Sequence, residues 1–185
     1  AVFVGSYENI ASAAARRGYR RVQADEGFIQ FAFGRPPDAV ALKRAQAGAP
    51  ANWVRLWSAP VRLQGQPVFV VQVGRPVGGR FLPEASDARR LHPDVDEARN
   101  LFVQDMMYSG GLERLGFVTG VGGVPRAQPR LVANDSSYFT DGLSAVLFFA
   151  TRPLTISDVR LLDWEPLLDE RETTWSQERA RAVQD

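Results

Sequence analysis

The chain has no cysteine, one histidine (His92), one lysine (Lys43), and almost no net charge. Without cysteine there is no disulfide scaffold, no thiolate nucleophile and no cysteine-ligated zinc. A single histidine excludes a multi-histidine metal site within one chain and leaves no spare imidazole beside a Ser-His-Asp triad. The 22 basic and 21 acidic residues give a formal charge of +1. No global field draws in nucleic acid or an anionic membrane, so no nucleic-acid partner is expected. Long apolar runs are also missing. The longest, residues 145–150, is far below the ~20 residues of a bilayer-spanning helix. No signal-peptide pattern opens the chain. It begins at Ala1-Val2-Phe3-Val4 without methionine, in mid-pattern, as a domain cut from a longer protein would.

What is present is ordinary globular material: 185 residues, 45% hydrophobic and 23% charged. That suits one domain with a single core. Arginine supplies all basic residues but Lys43. GC-rich coding explains this, as does recognition of phosphate or carboxylate by planar guanidinium forks; the arginines are scattered.

Residues 1–4 read as a buried strand. Ser6 caps a helix running to Arg17, with Gly18 as its stop. Phe28, Ile29, Phe31 and Phe33 fit helix or strand equally. Residues 34–38 break any element, and 39–45 read as a short helix. Residues 52–63 alternate: Trp53, Arg55 and Trp57 on one side, Val54 and Leu56 on the other. The turn 64–67 and the run 68–73 complete a β-hairpin. The second strand is apolar on both faces, so it is expected inside a sheet covered on both sides. Residues 74–88 form a long Gly/Pro-rich loop. A helix is expected from Pro93 to Ser109, ended by Gly110-Gly111. Residues 115–121 read as a strand, 122–129 as a loop, 143–150 as a second strand, and 156–164 as a short amphipathic stretch. Residues 169–185 turn highly charged and read as a solvated helix or tail after a domain of 1–168. The expected fold class is α+β, or α/β: a single mixed sheet with a central hairpin and both helices packed on it.

Three constellations could carry chemistry. His92-Pro93-Asp94-Val95-Asp96-Glu97-Ala98-Arg99 gathers three acids and the histidine at a helix start. Asp96 and Arg99, three apart, fall close enough to pair. The acids there cap the helix, each worth ~0.3–1 kcal/mol, or hold a divalent cation, with Asp94 and Asp96 as ligands. Trp53-Val54-Arg55-Leu56-Trp57 puts Arg55 against an indole face, a cation–π pair of about 0.5–2 kcal/mol; the face is either packed or a ligand platform. The loop with Arg75 and Arg80 offers forks and exposed amides for an anion. Ser6, Ser12, Ser58 and Ser144 stand in no nucleophile elbow, and Asp141 reads as a turn residue.

Several blocks together resemble the LssY C-terminal domain family of bacteria. They are Phe33 to Asp38 (FGRPPD), Asn52 to Trp57 (NWVRLW), Pro93 to Arg99 (PDVDEAR), Val103-Gln104-Asp105, Gly116-Phe117-Val118 to Gly122, and Tyr138 to Leu143 (YFTDGL). Their joint order is the specific signal. The resemblance implies a membrane-linked context, next to or fused with DedA-like and PAP2-like modules in one chain or operon, with this fragment itself soluble. Asn52, Arg55, Arg75, Arg80, Asp94, Asp96 and Arg99 fit the family pattern. The pattern has histidines where this chain has Trp53 and Arg89, and aspartates where it has Pro76 and His92. If those polar positions form a catalytic or metal cluster, this chain has lost it.

The expected function is therefore a non-catalytic accessory domain without cofactor. It would recognise an anionic small molecule, a lipid headgroup or a partner domain, with Asn52, Arg55, Arg75, Arg80 and Arg99 as binding residues. The alternative is a metal-assisted phosphate-ester hydrolase using Asp94, Asp96 and His92, with Arg55 or Arg99 on the phosphoryl group. Trp53, Pro76 and Arg89 are expected to cluster at the start of the Pro93 helix, with Arg89 facing Asp94 or Asp96.

Overall fold

The computed structural model describes residues 1–23, 32–44, 50–75, 92–120, 122–132 and 136–162. Their strands build one eight-stranded mixed sheet and a separate two-stranded ribbon. The chain opens with β1 (Val2–Val4), then α1 (Tyr7–Arg16) and β2 (Tyr19–Val22). Three longer strands follow: β3 (Ala39–Arg44), β4 (Pro50–Leu63) and β5 (Gln66–Gly74). Next come α2 (Val95–Met107), β6 (Leu112–Thr119), β7 (Arg130–Val132), β8 (Ser136–Tyr138), β9 (Leu143–Phe149) and β10 (Arg160–Leu161). The order across the sheet is β10-β6-β9-β1-β5-β4-β3-β2, and β7 pairs with β8 alone. β1 is parallel to β9 and antiparallel to β5. The α+β class and the mixed sheet hold.

The local chemistry explains the elements. Ser6 Oγ accepts from the Asn9 N–H at 3.2 Å, so α1 starts where a hydroxyl can cap it. β4 and β5 run antiparallel around Gln64 and Gly65, with φ of 51° and 77°. Both central residues are left-handed, as a two-residue hairpin turn matched to strand twist requires.

The expected helix at 39–45 is instead β3, with Ala45 outside the described residues. Ala, Leu, Lys and Arg favour a helix by only tenths of a kcal/mol each, and so short a helix cannot stand alone. Here β2 and β4 offer hydrogen-bonding ladders on both sides. The helix expected from Pro93 begins at Val95, because Asp94 takes the cap and the Pro93 carbonyl accepts from the Phe139 N–H at 3.0 Å. β6 starts at Leu112, three residues earlier than its apolar run implies. Of the stretch 156–164, the described residues 156–162 hold a 3-10 turn (Ile156–Asp158) and the two-residue β10, whose neighbour β6 supplies the pairing.

Both helices cover the same face. Ile10 and Ala13 of α1 and Phe102, Val103 and Met106 of α2 share one core with Phe3, Val54, Leu56, Phe69, Val71 and Leu147. Phe3 and Phe102 stack at 5.2 Å. Val4, Val68, Val146 and Phe148 make a smaller cluster on the other face. β5 lies between β1 and β4, but Val70 is 36% exposed, so the second face is not fully covered there. Among the described residues no helix is long and apolar enough to cross a membrane. The expectations for 76–88, 24–31 and 169–185 concern residues outside those described.

Candidate functional site

The N-terminal end of α2 collects most of the expected site. Asp94 is the N-cap, and its Oδ1 accepts from the Glu97 N–H at 3.0 Å. Asp96 and Arg99 pair at 3.2 Å, as their spacing implies. Arg99 is buried and does more than this. Its Nη1 and Nη2 donate to Asp141 Oδ1 and Oδ2, both at 2.8 Å, and Nη1 also donates to the Leu143 carbonyl at 2.7 Å. The Asp141 hydrogen bonds hold the Arg99 guanidinium above its ordinary pKa, and Arg99 in turn holds the Asp141 carboxyl below its own. Asp96 accepts from Thr140 Oγ1 at 2.7 Å and from the Asp141 N–H at 2.6 Å. The result is a clamp that ties the first turn of α2 to the loop before β9. Asp141 is thus half of a two-pronged ion pair and not only a turn residue; its place in the Tyr138–Leu143 block was the available signal.

Arg75 follows β5 directly, and its Nη1 donates to Glu97 Oε1. The Arg75 side chain is 11% exposed, that of Glu97 42%. His92 is close by: its N–H donates to the Arg75 carbonyl at 2.8 Å, and its Nδ1 lies 3.9 Å from Glu97 Oε2 and accepts from the Asp94 N–H at 3.3 Å. A groove of about 510 Å³ runs along the outer side of this turn, lined by Asp94, Asp96, Glu97, Asn100, Leu101, Gln104 and Phe139.

Asn52 sits beneath the same turn. It is 2% exposed, and its Nδ2 donates to the Ala98 carbonyl and to the Tyr19 hydroxyl, both at 3.3 Å. Because the Ala98 carbonyl can only accept, the amide must present its NH2 there. Its Oδ1 is buried and has no partner among the described residues. Tyr19 passes its own proton on to Asp105 Oδ2 at 3.2 Å, and Lys43 Nζ donates to both Asp105 oxygens at 2.7 and 2.6 Å. Burial and the Asp105 charge push the Tyr19 hydroxyl up, which keeps it a donor. This Asn52–Tyr19–Asp105–Lys43 chain joins α2 to β2, β3 and β4. Sequence reasoning named Asn52 as a binding residue but saw no role for the sole lysine, since partners up to 86 positions apart leave no local pattern.

The remaining candidates lie elsewhere. Trp53 and Arg55 point to the face opposite Val54 and Leu56 by strand alternation. Arg55 stacks over the Trp53 ring at 4.0 Å, its Nη1 donates to Gln72 at 3.2 Å, and burial lowers its guanidinium to about 10. The cation–π pair is as expected. The placement of Trp53 at the start of the Pro93 helix is not, because the residue next to Asn52 on a strand must face away from α2. Its ring instead lies across Gly74, the opposite residue on β5; a Cβ there would come within 2.2 Å of it. Arg80, Pro76 and Arg89 lie outside the described residues. Among the described residues, no group of three or more His, Asp and Glu side chains is arranged to hold a metal ion.

Residues 5–143 match a family model described as the LssY C-terminus. No curated protein and no solved structure matches the chain.

Proposed function

The chain belongs to the LssY C-terminus family, and on that premise we propose that it is a non-catalytic accessory domain that recognises an anionic group through Arg75. The observation that carries the reading is the state of the polar motif residues at α2. Asp94 caps the helix, Asp96 holds Thr140, Asp141 and Arg99, and Arg99 is taken by Asp141. Carboxylates committed in this way serve packing and have little capacity left for a metal or a proton. Arg99 and Arg55 are likewise engaged, by Asp141 and by Trp53 and Gln72. Arg75 differs, because its acidic partner Glu97 is exposed and can be exchanged. Trp53, where the family pattern has a histidine, replaces an acid–base group with packed apolar area. Attachment to a bacterial membrane module, of the DedA-like or PAP2-like kind, is part of the same proposal and rests on the resemblance.

Calorimetry with inorganic phosphate tests it. Binding by the wild-type chain that disappears in Arg75→Ala supports the reading, and no binding, or equal binding by both, rejects it. Phosphate-ester turnover with magnesium or manganese that is lost in Asp96→Asn would establish the hydrolase instead.

A further inference from the structure

Glu97 has two alternative partners. It is the third residue of α2, and its own N–H already donates to the Asp94 carboxylate. That is half of a capping box; in the other half, the side chain at this position accepts from the N-cap N–H. Here that second bond is not made. The Asp94 N–H leans on His92 Nδ1 at 3.3 Å, and the Glu97 carboxylate reaches out to Arg75.

Arg75 is not fully used by this contact. Among the described residues its buried Nε has no partner, a costly state for a charged donor. Asn52 is its neighbour across the strand pair, one step beyond Trp53↔Gly74, and carries a bare buried Oδ1. Both side chains end on adjacent residues of α2, Glu97 and Ala98. A guanidinium held by one exposed carboxylate can exchange it for another oxyanion.

We infer that Glu97 is an internal stand-in for an oxyanion ligand, and that a phosphoryl oxyanion displaces it from Arg75 while the Glu97 carboxylate moves to the Asp94 N–H. This rests on the proposed recognition by Arg75 and adds its regulation. The ligand takes the place on Arg75 Nη1 that Glu97 vacates. The displaced carboxylate completes the capping box, so its release from Arg75 is offset by a new charge-assisted bond at the positive end of α2. Asp94 and Asp96 stay nearby, so the unliganded site carries negative charge and favours its own closed state.

The test uses the full chain and two probes, inorganic phosphate and phosphatidic acid vesicles with phosphatidylcholine vesicles as control. Glu97→Gln removes the competing charge and leaves a side chain that still caps. It should bind phosphate about tenfold more tightly than wild type, because occupancy by Glu97 lowers the fraction of competent sites. Arg75→Ala should bind neither probe. The amide resonance of Asp94 should move downfield as wild type is titrated with phosphate, a readout that needs no variant. Tightening with free phosphate assigns a soluble ligand; tightening seen only with phosphatidic acid vesicles assigns a headgroup. Equal affinity of Glu97→Gln and wild type, with Arg75→Ala inactive, overturns the displacement and leaves recognition by Arg75 standing. No response to either probe in any form, with the Asp94 amide unmoved, overturns both.

Discussion

Arg99 and Asp141 meet fork to fork, 42 positions apart, with two parallel N–H···O bonds of 2.8 Å. Arg99 also donates to the Leu143 carbonyl, and Asp96 ties the same end of α2 to the Asp141 N–H. A lysine cannot reproduce this geometry, since an ammonium is a point donor. Arg99→Lys is expected to destabilise the domain by about 2 kcal/mol, and Arg99→Ala by more, because Asp96 loses its cation too. Urea unfolding measures both; a lysine variant as stable as wild type would show that charge alone suffices.

The same pair sets an acid response. The Arg99 hydrogen bonds hold Asp141 below the unfolded-chain value of 3.8. A carboxyl with a depressed folded value contributes stability above the unfolded value and loses it as pH falls through the folded one. The domain should therefore lose stability on acidification below about pH 4. In Arg99→Ala that limb should flatten. Unfolding midpoints taken across this window decide it, and an unchanged slope in the variant removes Asp141 from the account.

Asp105 is the hub of the second network. Lys43 and Tyr19 converge on it, with Arg17 at 3.5 Å. Removing the hub leaves a tyrosine hydroxyl and an ammonium without their acceptor, whereas removing Lys43 leaves a carboxylate that Arg17 and Tyr19 still serve. Asp105→Ala should thus cost about 2–3 kcal/mol and Lys43→Ala roughly half as much. Thermal melts of the two single variants give the order, and the reverse order would place the weight on the lysine.

Trp53 and Gly74 are coupled by volume. The indole occupies the space a Cβ at position 74 would need. Gly74→Ala in the wild-type background should destabilise by about 1–3 kcal/mol through overpacking. In a Trp53→His background, with its smaller ring, much of that penalty should vanish. A double-mutant cycle reads the coupling, expected at about 1 kcal/mol or more; additive penalties would mean the ring simply moves aside.

Much of the organisation was determined by residue order over short range. Ser6, Asp94 and Gly65 specify a helix start, a second helix start and a turn, because caps and left-handed turns involve residues two or three apart. Alternation on β4 separated Val54 and Leu56 from Trp53, Arg55 and Trp57 and predicted the Arg55–Trp53 stack. The pairing of Asp96 with Arg99 followed from helical geometry alone. Only the tertiary structure decided the rest. Residues 39–44 read as a helix along the chain, and pairing with β2 and β4 makes them a strand. Whether an arginine is open to a ligand or already occupied depends on which carboxylate the fold brings to it. Asp141 reaches Arg99 and Glu97 reaches Arg75 through packing of α2 on the sheet. Lys43, Tyr19 and Asp105 meet for the same reason, since sequence spacing encodes neighbours along one element and says nothing of those across three.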